Sequence, residues 1–175
     1  LITELSLRTQ PLPPARRGLL IQGEVAALGA LLGWLLASSL TPERVDWWSA
    51  SLAAGAGLAA EPLLLIGLAS VSAASLAEQQ QAIGQHTPLP LRLLEAEELT
   101  GLLAYGRGRP GTDASGDGPA WLLRFGVSSD RLAGLISLPE LRGLRLEAAA
   151  GSGIGQIWSP ADALSGERVE ALRPR

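Results

Sequence analysis

The sequence predicts an α+β fold: an antiparallel sheet with helices on one of its faces. Three observations carry this expectation. Short strand-like runs and two longer helical runs follow one another in the order strand, helix, strand, strand, helix, strand. The chain has 175 residues, 47% of them hydrophobic, and a net charge of -3, which is enough apolar surface for a substantial core. Proline and glycine clusters punctuate the runs and mark where elements end.

Ile2 to Leu7 alternates as a strand does, and the cluster Pro11, Pro13, Pro14 ends it, since proline cannot donate to a sheet ladder. This is a natural junction between two domains, residues 1–14 and 15–175. Gly18 to Gly23 reads as a strand. Glu24 to Ser39 reads as a helix, with Glu24 where the helix dipole favours an anion. Arg44 to Ala50 reads as a strand, Gly55 and Gly57 as a loose connector, and Pro62 to Ala69 as the most strand-like run. Ser72 to Gln85 is a helix with Ser72 as its N-cap. Leu91 to Leu94 is a strand, and Glu95 to Ala104 a short helix. Together these give the βαββαβ order of a ferredoxin-like unit, with one sheet face left to cover a partner.

The segment Tyr105 to Gly118 is a surface loop dense in Gly, Pro, Asp and Ser. A strand (Ala120 to Val127), a helix around Ser129 to Ser137, two strands (Leu144 to Ala149 and Gly155 to Trp158) and a terminal helix follow. This second half is expected to extend the same sheet.

Composition excludes several chemistries. There is no cysteine, so thiolate nucleophiles, disulfides and cysteine-based metal centres are ruled out. The single histidine, His86, rules out a histidine-rich metal centre, and no metal site is expected. All 14 basic residues are arginine, yet the balance is slightly acidic, so no nucleic-acid partner is expected. A cytoplasmic location is expected for a chain without disulfides or a visible signal peptide. The uncharged run Val25 to Leu40 is about 16 residues and rises roughly 24 Å as a helix, short of the ~30 Å hydrocarbon core. No transmembrane span is expected. Gly29 and Gly33 in that run suit close packing either in lipid or on a sheet.

Several residues are candidates for chemistry. Arg124 interrupts the apolar strand WLLRFGV, and an arginine on a largely buried strand needs an anionic partner. That partner is either a structural carboxylate or the carboxylate of a bound substrate, which the guanidinium fork fits. His86 is a general base only if an orienting partner stands beside it. Glu95, Glu97 and Glu98 lie in a helix first turn, where the dipole alone accounts for them. The glycine-rich segments GRGRPG and GSGIG lack the strand-before, helix-after setting of a phosphate loop, so turns are their expected use. Trp47 and Trp48 face opposite sides of a strand, one toward the core and one toward a cleft or interface. Trp34, Trp121 and Trp158 are expected in core or edge packing.

The opening LITELSLRTQPLP resembles the segment that closes the FAD-binding domain of flavoproteins of the vanillyl-alcohol-oxidase type, G-[VI]-[IV]-T-x-x-[ST]-[LV]-[RK]-x-x-P-x-P. Ile2, Thr3, Glu4, Leu7, Arg8, Pro11 and Pro13 fit it. The stretch ALGALLGWLLASSLTPERVDWW is similar to the helix and turn of FAD-linked oxidase C-terminal domains. WLLRFGVSSDRL resembles the strand W-R-[LI]-S-[VL]-P-P in the E subunit of bacterial glycolate oxidase, with Arg124 at the arginine; Leu123 stands for the tryptophan and Ser128-Ser129 for the paired prolines.

The resemblance implies that residues 1–14 are the last strand of an FAD-binding domain lying mostly upstream, and that 15–175 form the substrate or cap domain. It implies FAD as cofactor, touched through the backbone of Ile2 and Thr3, and a small-molecule substrate such as the 2-hydroxy acid glycolate. It further implies the N-terminal FAD-binding domain of the same full-length chain and other oxidase subunits as partners. It transfers no catalytic base. The competing reading is a non-catalytic module that docks a partner subunit of a flavoprotein complex.

Overall fold

A computed structural model describes residues 13, 15–108, 120–160 and 165–171. The elements in chain order are β1 (Ala15–Gln22), α1 (Val25–Ala37), β2 (Arg44–Trp48), α2 (Ala50–Gly55), β3 (Leu63–Ser70), α3 (Ala73–His86), β4 (Leu91–Leu94) and α4 (Ala96–Arg107). After these come β5 (Ala120–Gly126), α5 (Leu132–Ile136), β6 (Arg145–Ala149), β7 (Ile154–Pro160) and α6 (Gly166–Ala171), with short 3-10 turns at Ser129–Arg131 and Pro139–Leu141. The seven strands form one sheet in the order β4-β1-β3-β2-β6-β7-β5. Every neighbouring pair is antiparallel. The fold is therefore α+β of the ferredoxin-like type. Strands β1 to β4 form the unit itself, and β6, β7 and β5 extend the sheet at the β2 edge.

Burial explains the layering. The strands alternate, so each sends one set of side chains to each face. On the first face Leu19, Ile21, Val45, Trp47, Leu64, Ile66, Leu146 and Ile157 meet α1, α3 and α5 through Leu28, Leu31, Leu35, Leu76, Ile83 and Leu132. Burying a leucine or isoleucine stabilises by ~1.5–3 kcal/mol, so this face dominates the stability. On the second face Leu20, Trp48, Leu63, Leu65 and Leu94 meet α2 and α4 through Leu52, Ala53 and Leu99. That second cluster includes no residue of β7 or β5. The face expected to lie open is thus roofed over the ferredoxin-like half, α2 also reaches β6 at the seam, and the helix-covered cluster stops short of β7 and β5.

Local chemistry sets the boundaries. Ser72 caps α3 by accepting from the Ser75 amide at 3.1 Å. Helix α2 stands where the sequence reading put a loose connector. Its N-cap is Ser49, whose Oγ accepts from the Leu52 amide, and the alanine-rich run behind it favours helix. Gly29 brings α1 against α5, because a Cβ there would lie 2.9 Å from Ala133 Cβ; Gly33 has nothing within 4 Å. At 13 residues α1 is short, and among the described residues no helix is long and apolar enough to cross a membrane. The Ile2–Leu7 strand lies outside the described residues, as does the Pro11–Pro14 junction apart from Pro13.

The β6–β7 hairpin turns through GSGIG, as its composition suggests. Gly153 has φ +69°, and a Cβ on it would meet the Val127 carbonyl oxygen at 1.7 Å. Both the left-handed backbone and the close approach require glycine. Gly153→Ala is expected to lower unfolding free energy by ~2–4 kcal/mol in urea titration. Gly151→Ala, two residues away with nothing within 4 Å, should stay within ~0.5 kcal/mol of wild type. Equal losses at the two positions would contradict this account of the turn.

Candidate functional site

The second face becomes polar where its helices end. Antiparallel register places Trp48 opposite Glu147, Glu147 opposite Gln156, and Gln156 opposite Arg124. One row thus runs from the buried indole of Trp48 to a guanidinium on the outermost strand. Gln156 Nε2 donates to Glu147 Oε2 at 3.1 Å. Beside this row lie Arg44 and Asp46, two residues apart on β2 and so on the same face.

Asp46 is fully buried and Glu147 nearly so, at 0% and 5% exposure. Arg44 serves both. Its Nε donates to Asp46 Oδ2, and its Nη2 lies 3.5 Å from Glu147 Oε1, an ion pair without a hydrogen bond. Asp46 Oδ1 and Glu147 Oε1 have no hydrogen-bond partner. One arginine therefore stands against two buried carboxylates. Burial pushes the Asp46 carboxyl up from 3.8 to about 6; the Arg44 hydrogen bond and charge pull the other way, and the Glu147 charge adds to the rise. Among the described residues no three ligating side chains converge on a metal position.

Arg124 differs from the sequence expectation in one respect. It is exposed, and among the described residues it forms no ion pair. The run WLLRFGV looks interior, but β5 is an edge strand whose second face has no helix over it. Leu123 and Phe125 pack on the first core, while Leu122 and Arg124 point the other way. No buried carboxylate is needed to hold Arg124, and its charge is available to a ligand.

The remaining candidates fall into structural places. Ile2 and Thr3, the expected flavin contacts, lie outside the described residues, as does the second half of GRGRPG; its first half ends α4. His86 ends α3 and stacks on Trp34 with ring centroids 4.0 Å apart; among the described residues no carboxylate pairs with it. Glu95 pairs with Arg17, and Glu98 with Arg92, both exposed ion pairs. Trp47 and Trp48 do face opposite sides, but both are fully buried, so neither lines the expected cleft or interface; α4 covers Trp48. Trp158 is buried, and Trp121 is half exposed on β5.

Sequence reasoning missed Asp46 and Glu147. The available signal was phase: in VDWW and RLEAA each acid sits between residues whose neighbours face the core, on strands too apolar to be exposed on either side.

The raised Asp46 value carries a sign. The folded state holds the proton more tightly than the unfolded chain, so ionised Asp46 destabilises the fold, fully above about 6, and the penalty is relieved as pH falls from about 6 toward 3.8. A shift of this size corresponds to about 3 kcal/mol at ~1.36 kcal/mol per unit. Between about pH 7 and about pH 5 the wild-type thermal midpoint should rise relative to that of Asp46→Asn, which lacks the titration. Parallel pH dependences of the two midpoints would show that Asp46 is not the group responsible. No family model matches the chain, and a search of curated proteins finds no match.

Proposed function

We propose that the chain is the C-terminal cap of an FAD-dependent oxidoreductase subunit that oxidises a 2-hydroxy acid such as glycolate. The observation that carries this reading is the exposed Arg124 guanidinium on a sheet face without a helix, next to the fixed amide of Gln156. An arginine held on a strand can engage a carboxylate through two parallel hydrogen bonds. A sheet with a polar, exposed outer edge suits a lid laid over a reaction centre, where it excludes water and orients an acid. The resemblance of Ile2, Thr3, Leu7, Arg8, Pro11 and Pro13 to the closing segment of an FAD-binding domain supplies the cofactor.

The described residues do not fit the role of holding FAD on their own. GSGIG is a hairpin turn between β6 and β7, and among the described residues no glycine loop opens a helix toward a phosphate. In this proposal the FAD is gripped by a nucleotide-binding domain of the full-length chain, and other oxidase subunits complete the assembly. Bound FAD would accept the hydride equivalent from the substrate; this chain's part is to bind and orient the acid.

The second reading is a docking module without a catalytic role. It is favoured by Trp121 and Leu122, half-exposed neighbours on β5, and by Ile154, 64% exposed on β7. Turnover separates the two. In the full-length flavoprotein, Arg124→Ala is expected to raise KM for the 2-hydroxy acid about tenfold or more, the loss of one charge-assisted bidentate contact, with the flavin spectrum unchanged. An unaltered KM with flavin bound would remove Arg124 as substrate anchor. Loss of subunit assembly alone would favour docking, and a full-length chain that purifies without flavin would end the oxidoreductase reading.

A further inference from the structure

The two edges of the sheet are built differently. Strand β4 is four residues long, follows Pro88 and Pro90, and carries Arg92 in an ion pair with Glu98. Short length, proline and charge are the usual means of blunting an edge. Strand β5 is longer, seven residues; Pro119 precedes it in the sequence and Arg124 is its one charge. It pairs with β7 along its whole length from Ala120 to Gly126, and among the described residues nothing pairs with its other side. It contains no proline, and it opens with Trp121 and Leu122 at 50% and 49% exposure. A strand edge of this kind offers a row of N–H and C=O groups to another strand.

We propose that β5 pairs antiparallel with β5 of a second copy of this chain, joining the two sheets edge to edge across a two-fold axis at Leu123. The segment AWLLRFG is self-complementary in that register. Leu123 meets its counterpart on the axis. Trp121 lies opposite Phe125 of the second copy, both on the first face, where an aromatic pair is favourable. Leu122 lies opposite Arg124 of the second copy, so the aliphatic stem of the arginine covers the leucine and no like charges are opposed. Centring the pair on Arg124 instead would set two guanidinium groups against each other, and centring it on Leu122 would shorten the ladder. Because the β4 edge is blunt, each copy has one competent edge, and isologous pairing closes at two chains rather than growing into a fibre. The pairing uses backbone groups and leaves the Arg124 side chain on its own face. It is independent of the proposed oxidoreductase role.

Light scattering coupled to size-exclusion chromatography tests this on the 175-residue chain. The expected mass at micromolar concentration is twice the 18.2 kDa of one copy. Leu122→Lys sets a lysine against Arg124 at both symmetric positions and should weaken the dimer by about tenfold or more. Leu122→Glu sets a carboxylate against the same two arginines and should keep the dimer. Leu122 is half exposed, so circular dichroism and the thermal midpoint should match wild type in both variants. A wild-type chain that stays monomeric at tens of micromolar overturns the proposal. So does a ladder of larger assemblies, or an equal response to lysine and glutamate.

Discussion

The sheet depends on one seam, the contact between β2 and β6, because it joins the ferredoxin-like unit to its extension. The ladder there is short: Asp46, Trp47 and Trp48 pair with Ala149, Ala148 and Glu147. Two further connections lengthen it. The Ala150 amide donates to the Val45 carbonyl at 2.7 Å. Ser49 exchanges backbone and side-chain hydrogen bonds with the start of β6: its Oγ donates to the Leu144 carbonyl and accepts from the Leu146 amide, while its amide donates to the Leu146 carbonyl. The same hydroxyl caps α2. A single serine thus ends a strand, starts a helix and ties the two halves together.

Charge is concentrated at this seam. Arg44, Asp46 and Glu147 sit on its second face, with the two acids on opposite strands of the joint. A buried ion cluster with unmatched oxygens opposes folding, since desolvation exceeds what one arginine returns. What it does contribute is register. Slipping β6 by one residue would turn Glu147 into the first core and bring Leu146 out of it, so the cluster and the core together admit one pairing. The difference between the faces follows from the same alternation. On the first face the core runs unbroken across the seam from Trp47 through Leu146 to Ile157. On the second it stops at Trp48, and the next residues in the row are Glu147, Gln156 and Arg124.

Much of this architecture was legible in the sequence, because period and punctuation are local. The Ser72 cap rests on an interaction within a few residues, and the strand at Leu91–Leu94 and the GSGIG turn are marked by local composition. What was not legible depends on where an element lies in the sheet. WLLRFGV has the composition of an interior strand, yet the topology puts it at the rim, and that alone decides whether Arg124 is buried or exposed. One of Trp47 and Trp48 is expected to be open, because nothing near Trp48 in sequence reveals that α4, some 50 residues later, returns to cover it. Asp46 and Glu147 form a site only through a pairing between strands about a hundred residues apart. Helix α2 was lost to a strand reading that ran through Ser49, one residue past the cap.

The exposure of Arg124 changes the kind of argument its function needs. A buried arginine would have to be accounted for by a buried acid, and its partner would be structural. An arginine at the rim carries no such debt to the core. Its backbone is fixed by a seven-residue ladder to β7, and the side chain across from it is itself hydrogen-bonded to Glu147. The base of the guanidinium is therefore well placed while its end remains in solvent, which is what recognition of a carboxylate requires. Glu147 in the same row and Asp46 beside it lie behind Gln156 and pair with Arg44 rather than with Arg124. The row presents positive charge at the bare end of the sheet and keeps its negative charge at the seam, and it is this separation, made by strand order alone, that suits the face to an anionic ligand.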